Sequence, residues 1–389
     1  MTSDRAELIT SCRRLVVKVG SAVLAGPEGL DRRRVGLLAA QVSRLAGPER
    51  QVLLVSSGAV ATGRAKLGLL GAKLTTPQKQ AAAALGQAGL MQAYEEAFEA
   101  HGQKVAQVLL TASDLRQRGR YENARNTLFT LLDWGVIPVV NENDTVAVEG
   151  LKLGDNDNLA ALLTNLLGAE LLIILTNVDG LMDSDPRVNP AARRIPLVEK
   201  VEADLLKAAS SQPGSVGLGG VLSKVRSADK VARCGAYTIV ANGLNDDVLD
   251  GLAAGADLGT LFRPRSARLT SRKHWIAFAA DQAGEILVDE GAVRPLVEKG
   301  KSLLAVGIRD VRGDFSAGQA VRVLGPGEVI LGVGLSAYAS QDLRKIMGLR
   351  SDQFEARLGH KDSDEVIHRD DLVIFDWEEE EEVACLLNA

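Results

Sequence analysis

From about residue 15 to residue 262, short β-branched apolar runs alternate with longer stretches of helical periodicity. That alternation predicts parallel strands joined by crossover helices. Strands are expected at residues 15–19, 51–55, 104–110, 136–140, 171–175 and 237–241, each apolar enough for burial on both faces of a sheet. The longest helical segment runs over residues 75–101, with Pro77 at its start and a run of alanines inside. After Phe262 the texture changes. Arg263-Pro264-Arg265-Ser266 is a polar, proline-containing passage, and beyond Trp275 the runs are short, valine-rich and punctuated by glycine, which predicts a second, mostly β domain. Residues 210–220, rich in Ser and Gly, are expected to form a mobile loop.

A chain of 389 residues, 46% hydrophobic and 24% charged, has room for two such domains. No apolar run approaches the ~20 residues that a membrane-spanning helix needs. The start of the chain is polar and mixed in charge, which predicts no secretory leader. Cys12, Cys234 and Cys385 are far apart and form no CxxC pair, so a disulfide framework or zinc site is not expected and a cytoplasmic setting is. A formal net charge of −5 offers no general attraction to nucleic acid or to an anionic membrane. The acidic block at residues 378–382 reads as a solvated tail.

Candidate chemistry gathers where strands end. Lys18-Val19-Gly20-Ser21 puts a lysine and a closely approachable backbone at the carboxyl end of the first strand, where open α/β sheets bind ligands. A surface lysine before a turn would give the same string. Ser56-Ser57-Gly58-Ala59 ends the second strand, and could equally cap a helix. Asn141-Glu142-Asn143-Asp144 and Gly154-Asp155-Asn156-Asp157-Asn158 concentrate carboxylates and amides on two loops. One helix cap does not require five polar residues, and such a cluster suits an amine-bearing substrate or a pair of lysines better than a phosphate. Gly217-Leu218-Gly219-Gly220-Val221-Leu222-Ser223-Lys224 leads into a helix whose first amides would face an anion, with Lys224 as a second positive charge. No GxxxxGK[ST] string occurs, which disfavours an ordinary P-loop. Thr176-Asn177 and Asp179-Gly180 follow the fifth strand and could serve a mononucleotide. His101, His274, His360 and His368 are scattered, with no metal or nucleophile spacing, and read as structural or surface residues.

In order, KVGS, VSSGAVATG, NENDTV, GDNDNLAALL, LTNVDGLMDSDPR and GLGGVLSK resemble glutamate 5-kinase, of the amino acid kinase superfamily. The segment from Gly284 to Ala292, then Lys301-Ser302-Leu303-Leu304, looks like a PUA domain, which many bacterial members carry. The resemblance implies an α/β fold with a mainly parallel sheet sandwiched by helices, plus a small mostly-β PUA domain. It divides the chain into a catalytic domain at 1–262, a linker at 263–275, a PUA domain at 276–372 and an acidic tail at 373–389. It further implies phosphorylation of L-glutamate by ATP with Mg2+, in the first step of proline biosynthesis, with proline as feedback inhibitor and a homo-oligomeric enzyme. Lys18 and Lys224 match the family's phosphate-contacting lysines, and Asp157 the acid that holds them. Ser57, Asp144 and Asn156, with Asp155 close by, match its glutamate contacts. Gly20, Thr176, Asn177 and the run Leu218, Gly219, Gly220, Val221, Leu222, Ser223 and Lys224 would contact ATP.

The family usually has an acid where Asn177 stands, GTGGM where this chain reads GLGGV, and a second serine where Ala22 stands. Kinases of aspartate or acetylglutamate would share the phosphate machinery, but the acceptor loops favour glutamate. PUA domains elsewhere bind RNA, a function opposed here by charge. Residues 276–372 hold twelve Lys and Arg against sixteen Asp and Glu, an excess of four negative charges.

Overall fold

The computed structural model describes residues 2–147, 156–184, 189, 191–202, 205–206, 220–265, 271–278, 280 and 282–375, with the backbone alone at 2–4, 271, 272, 274 and 278. They form two compact units, the first over residues 1–115 and 119–268, the second over residues 269–389 with 116–118.

The first unit is built on an eight-stranded sheet. Its strands are β1 (Arg14–Val19), β2 (Gln51–Ser56), β3 (Lys104–Leu110), β4 (Val136–Glu142), β5 (Leu171–Thr176), β6 (Leu197–Val198), β7 (Tyr237–Asn242) and β8 (Thr260–Phe262), in spatial order β3-β4-β2-β1-β5-β7-β8-β6. From β3 through β7 all neighbours are parallel, and β8 runs antiparallel to β7. The central strands are buried nearly end to end, as the apolar strings RLVVKV and LLIILT require. Strand β3 departs from the expected two-sided burial: among the described residues it has only β4 as a neighbour, and its polar Lys104 and Gln107 are exposed. The pair β8 and β6 was not anticipated, because strands of three and two residues carry no measurable period.

Two helices follow β2 and pack closely on one another. Helix α1 (Ala59–Lys66) starts directly after β2, at Gly58, whose φ of 110° is a left-handed conformation that a side chain would strain. Helix α2 (Thr76–Glu99) begins with Pro77 in its first turn and a capping box, in which Gln78 Oε1 accepts from the Thr75 backbone N–H at 2.9 Å. The two helices cross through glycines. A Cβ on Gly63 would run into the Ala82 carbonyl, and one on Gly86 into the Ala59 carbonyl. Leu90, Tyr94 and Phe98 of α2 then reach the core beside Val17, Leu54, Ile173 and Ile239.

The second unit carries a five-stranded mixed sheet: β9 (Gln282–Val288), β10 (Ile308–Gly313), β11 (Ala320–Leu324), β12 (Ile330–Leu335) and β13 (Leu372–Ile374), in order β10-β9-β11-β12-β13. Only β9 and β11 pair in parallel. Ile286, Val321, Val323 and Val333 fill its core with Tyr338 and Phe354, whose rings meet edge to face at 5.7 Å. A helix occupies Ser271–Phe278, so residues 271–275 of the expected linker are helical, and β13 extends two residues into the expected tail. The acidic block at 378–382 lies outside the described residues.

The glycine crossing yields a stability prediction. Gly63→Ala should destabilise the first unit by about 3 kcal/mol, because the clash is with backbone that cannot rotate away. Urea unfolding should show this, with Gly36→Ala, on an open helix face, as the near-neutral control.

Candidate active site

Three elements deliver three charges to one buried point. Lys18 lies one residue before the end of β1, Asp157 in the first turn of α3 (Asn156–Leu167), and Lys224 in the first turn of α4 (Val221–Ala232). Lys18 Nζ is 2.6 Å from Asp157 Oδ1, and Lys224 Nζ donates to Oδ2 at 3.1 Å. Asp157 is 1% exposed and the lysines 5% and 7%. Burial would raise the Asp157 carboxyl, but the charges of Lys18 and then Lys224 outweigh it and hold the group below the ordinary carboxylate range. Its place at a helix N-terminus acts in the same direction. Both ammonium groups face the one carboxylate in a place where water screens charge weakly.

The backbone around the cluster is closely fitted. Gly20 donates its N–H to Leu175 O at 3.0 Å, tying the β1 turn to the end of β5, and a Cβ there would lie 3.2 Å from that same oxygen. Gly220 is the N-cap of α4 in extended conformation, with no side-chain cap, so the first-turn amides of Val221, Leu222 and Ser223 lie at the positive end of the helix; that of Ser223 bonds Gly220 O at 3.1 Å. Leu218 and Gly219, with the rest of the expected mobile loop up to residue 219, lie outside the described residues, as does Asp155.

Beside the charged cluster lies a network of neutral amides. Asn156 Nδ2, at the first position of α3, donates toward Ser57 Oγ at 3.0 Å, Asn141 Oδ1 at 3.1 Å and Ser56 O at 3.2 Å. Asn141 Nδ2 in turn donates to Gln87 Oε1 at 2.8 Å. Ser56 Oγ meets Tyr94 OH at 2.8 Å, and Ser57 N–H bonds Val19 O at 3.2 Å, which fixes the serine pair against β1. Asp144 stands two residues beyond β4, with its N–H on Glu142 O at 3.0 Å; burial pushes its carboxyl up to about 6. No hydrogen bond among the described residues joins Asp144 to Asn156 or Ser57.

The remaining expected residues flank the next strands. Thr176 ends β5 and is buried, while Asn177 is exposed beyond it. Asn242, ending β7, donates to Asp179 Oδ1 at 2.8 Å. These two, with Met182, Arg194, Asn245, Asp257, Leu258 and Gly259, line a cleft of 350 Å³. Arg194 spans its side, donating to Asp257 Oδ2 at 2.7 Å and to the Gly259 carbonyl. Asn141 belongs to the polar cluster 141–144 that the sequence already marks, whereas the sequence analysis gives Gln87, Asn242 and Arg194 no role. Asn242 could have been found, since it sits at the carboxyl end of a parallel strand. Gln87 gave no signal inside an alanine-rich helix.

The two buried lysines suit an anion such as phosphate, and the amide network beside them offers directed donors and acceptors. Residues 13–242 match the model of the amino acid kinase family, and residues 284–358 that of the PUA domain. The chain is 48% identical over 95% of its length to the glutamate 5-kinase of Syntrophotalea carbinolica, covering 99% of that protein. It is 50% identical over 95% of its length to the glutamate 5-kinase of Citrifermentans bemidjiense, covering all of it. The chain belongs to the glutamate 5-kinase family. Membership spans both units, and the amino acid kinase match contains Lys18, Asp157 and Lys224. A UMP kinase from Bacillus anthracis overlays 66% of the chain and 97% of its own, with a TM-score of 0.47 at 15% identity. Among the described residues, no helix is long and apolar enough to cross a membrane.

Asp157→Asn should lower stability by about 3 kcal/mol, because it removes the carboxylate that both buried ammonium groups face. The sign with pH follows from the depressed carboxyl. Its contribution is present above the ordinary carboxylate range and is lost as pH falls through the lower folded value. Denaturation of both proteins at neutral pH and again in acid should show the gap close in acid.

Proposed function

We propose that this chain is a kinase that transfers the γ-phosphoryl group of ATP to the side-chain carboxylate of L-glutamate, giving L-glutamyl 5-phosphate in the first step of proline biosynthesis. The observation that carries the reading is the buried Lys18–Asp157–Lys224 cluster at the strand ends of a chain alike throughout its length to glutamate 5-kinases. Catalysis is assigned to residues 1–262 and the PUA domain to residues 276–372.

The acceptor carboxylate is already ionised at neutral pH, so no general base is needed. The protein has to position two anions and offset the charge that spreads over the transferring group. Lys18 and Lys224 supply two preorganised cations, and Asp157 holds both ammonium groups in place before the nucleotide arrives. The first amides of α4, at Val221 and Leu222, would receive phosphate oxygens, and Gly20, with no side chain, leaves the space beside Lys18 Nζ open to them. Thr176 and Asn177 lead toward the cleft at Asp179 and Asn242, a place for the nucleoside. Ser57, Asn156 and Asp144 would hold glutamate, Asp144 facing its ammonium group.

Magnesium fits this site as a companion of the nucleotide. No three His, Cys, Asp or Glu side chains cluster to hold a metal among the described residues, and both Asp157 oxygens face ammonium groups. The ion would therefore be held chiefly by phosphate oxygens, as Mg2+ commonly is. When bound, it neutralises phosphate charge.

The same reading makes proline an inhibitor, as an amino acid able to use the glutamate contacts, and places a homo-oligomeric enzyme in the cytoplasm. The charge of residues 276–372 is of the wrong sign for a phosphate-binding footprint, which argues against RNA as a partner of the PUA domain.

Protein incubated with ATP, Mg2+, L-glutamate and hydroxylamine should form the glutamyl hydroxamate, and aspartate or acetylglutamate should form none. Lys224→Ala should lose about 10²–10³-fold in rate, and added proline should lower the yield. Product with another acid alone would refute the choice of substrate.

The Asp144 carboxyl sets a pH profile. Because its value is raised to about 6, glutamate meets a protonated, uncharged partner below that pH. kcat/KM for glutamate should therefore fall as pH drops through about 6, and Asp144→Asn should abolish that inflection. Between 3.8 and about 6 the folded chain holds a proton that the unfolded chain has released, so this group's contribution to stability falls as pH rises through that window.

A further inference from the structure

The second unit presents a face whose charge is opposite to that of the unit as a whole. Gly348 donates its backbone N–H to Ala305 O at 2.7 Å, which joins residues 299–309 to residues 342–350. The two segments carry six basic residues, Lys299, Lys301, Arg309, Arg344, Lys345 and Arg350, and one acid, Asp342, whereas residues 276–372 together hold four more acids than bases. All six basic residues are exposed. Asp342 Oδ1 lies 2.9 Å from Lys345 Nζ and Asp289 Oδ2 lies 3.7 Å from Arg309 Nε; the other four bases make no ion pair among the described residues. Beside them three large apolar side chains are open to water: Leu304 at 47%, Val306 at 51% and Met347 at 37% exposure. The first two flank Ala305 and the third precedes Gly348, so all three gather around one backbone hydrogen bond. A single exposed leucine needs no explanation, but an apolar group bordered by bases suits a partner that is both acidic and apolar.

We propose that this face receives the chain's own C-terminal segment, residues 376–389. That segment, outside the described residues, has five glutamates at 378–382 followed by Val383-Ala384-Cys385-Leu386-Leu387. Its acidic block answers the bases of the face, and its apolar end answers Leu304, Val306 and Met347. The chain is long enough for both. Phe375, where the described residues end, donates its N–H to Leu331 O at 2.9 Å beside β13, and Leu303, at the border of the face, donates to Ile367 O at 2.8 Å. The eight residues from Ile367 to Phe375 span at most about 29 Å, and the fourteen beyond Phe375 reach up to about 46 Å. A tethered segment meets its site at a high effective concentration, so contacts too weak to hold a free peptide suffice. RNA would answer the bases alone, and the acidic excess of the unit opposes it. Docking covers the three apolar side chains and closes the face to other acidic partners.

Cys385 lies in the apolar stretch of the segment, and Cys12 and Cys234 are buried, so one added thiol reports docking through a disulfide formed with diamide as oxidant. The test compares Val306→Cys with Glu328→Cys in the full chain. Glu328 is exposed and three residues from Leu331, whose carbonyl accepts from Phe375, so random collision near the root of the segment favours it. Val306→Cys should nevertheless cross-link to Cys385 about tenfold faster, within one chain, as read by gel mobility without reductant and by peptide mapping. The advantage should shrink in about 1 M salt, and again when Glu378 to Glu382 are all replaced by Gln. Equal rates in the two variants would overturn the proposal, as would an advantage indifferent to salt and to the glutamate replacement. A disulfide between two chains would give the face to a second copy instead. A tRNA that binds the full chain and a chain ended at Phe375 with the same affinity at low salt would give it to RNA, and either result ends the proposal.

Discussion

A carboxylate buried to 1% exposure between two ammonium groups is the constraint around which the first unit is arranged. Each ion alone would cost several kcal/mol to desolvate. They are tolerable only together, so β1, α3 and α4 have to converge on one point. That convergence explains why a lysine can occupy the second-last position of a buried central strand, and why α3 begins with polar residues yet is buried at every position but Asn158. The desolvation that makes the cluster demanding also makes it useful. Cations held where water screens weakly act strongly on a phosphate, and they need no reorganisation when it arrives.

Close backbone packing supplies the second ingredient. The Gly63 and Gly86 crossing lets α1 and α2 approach without side chains between them, while left-handed Gly58 turns the chain straight from β2 into α1. These contacts carry Gln87 to the strand ends, where it reaches Asn141. A glycine there is therefore a determinant of site geometry, even though it bears no functional atom.

Much of this was legible in the sequence. The six strands carrying the parallel core announced themselves as apolar runs, and their carboxyl ends marked Lys18, Ser57 and Thr176. The capped helix at Thr76–Glu99 followed from Pro77 and the run of alanines. The charged cluster was readable as an excess of polar residues beyond capping needs, and the family resemblance placed Lys224 in it. Less visible were features set by tertiary context. The edge position of β3 depends on having no second neighbour, and β8 and β6 are too short to show a period. Gln87 lies on a helix face whose meaning appears only when β4 ends beside it.

The division between charged and neutral recognition has a physical reason. An acceptor acid must be held close to the lysines without neutralising them, since their charge is what the transferring phosphoryl group requires. Additional carboxylates near the cluster would compete for Lys18 and Lys224, whereas amides fix orientation through directional hydrogen bonds and add no charge. The structure follows that logic: the contacts of Asn156 run to two serines and an asparagine, and Asp144 is linked to the cluster by no ion pair among the described residues. Backbone groups at Glu142 and Ser56 then decide which way the amides point, so their orientation is set by the fold itself.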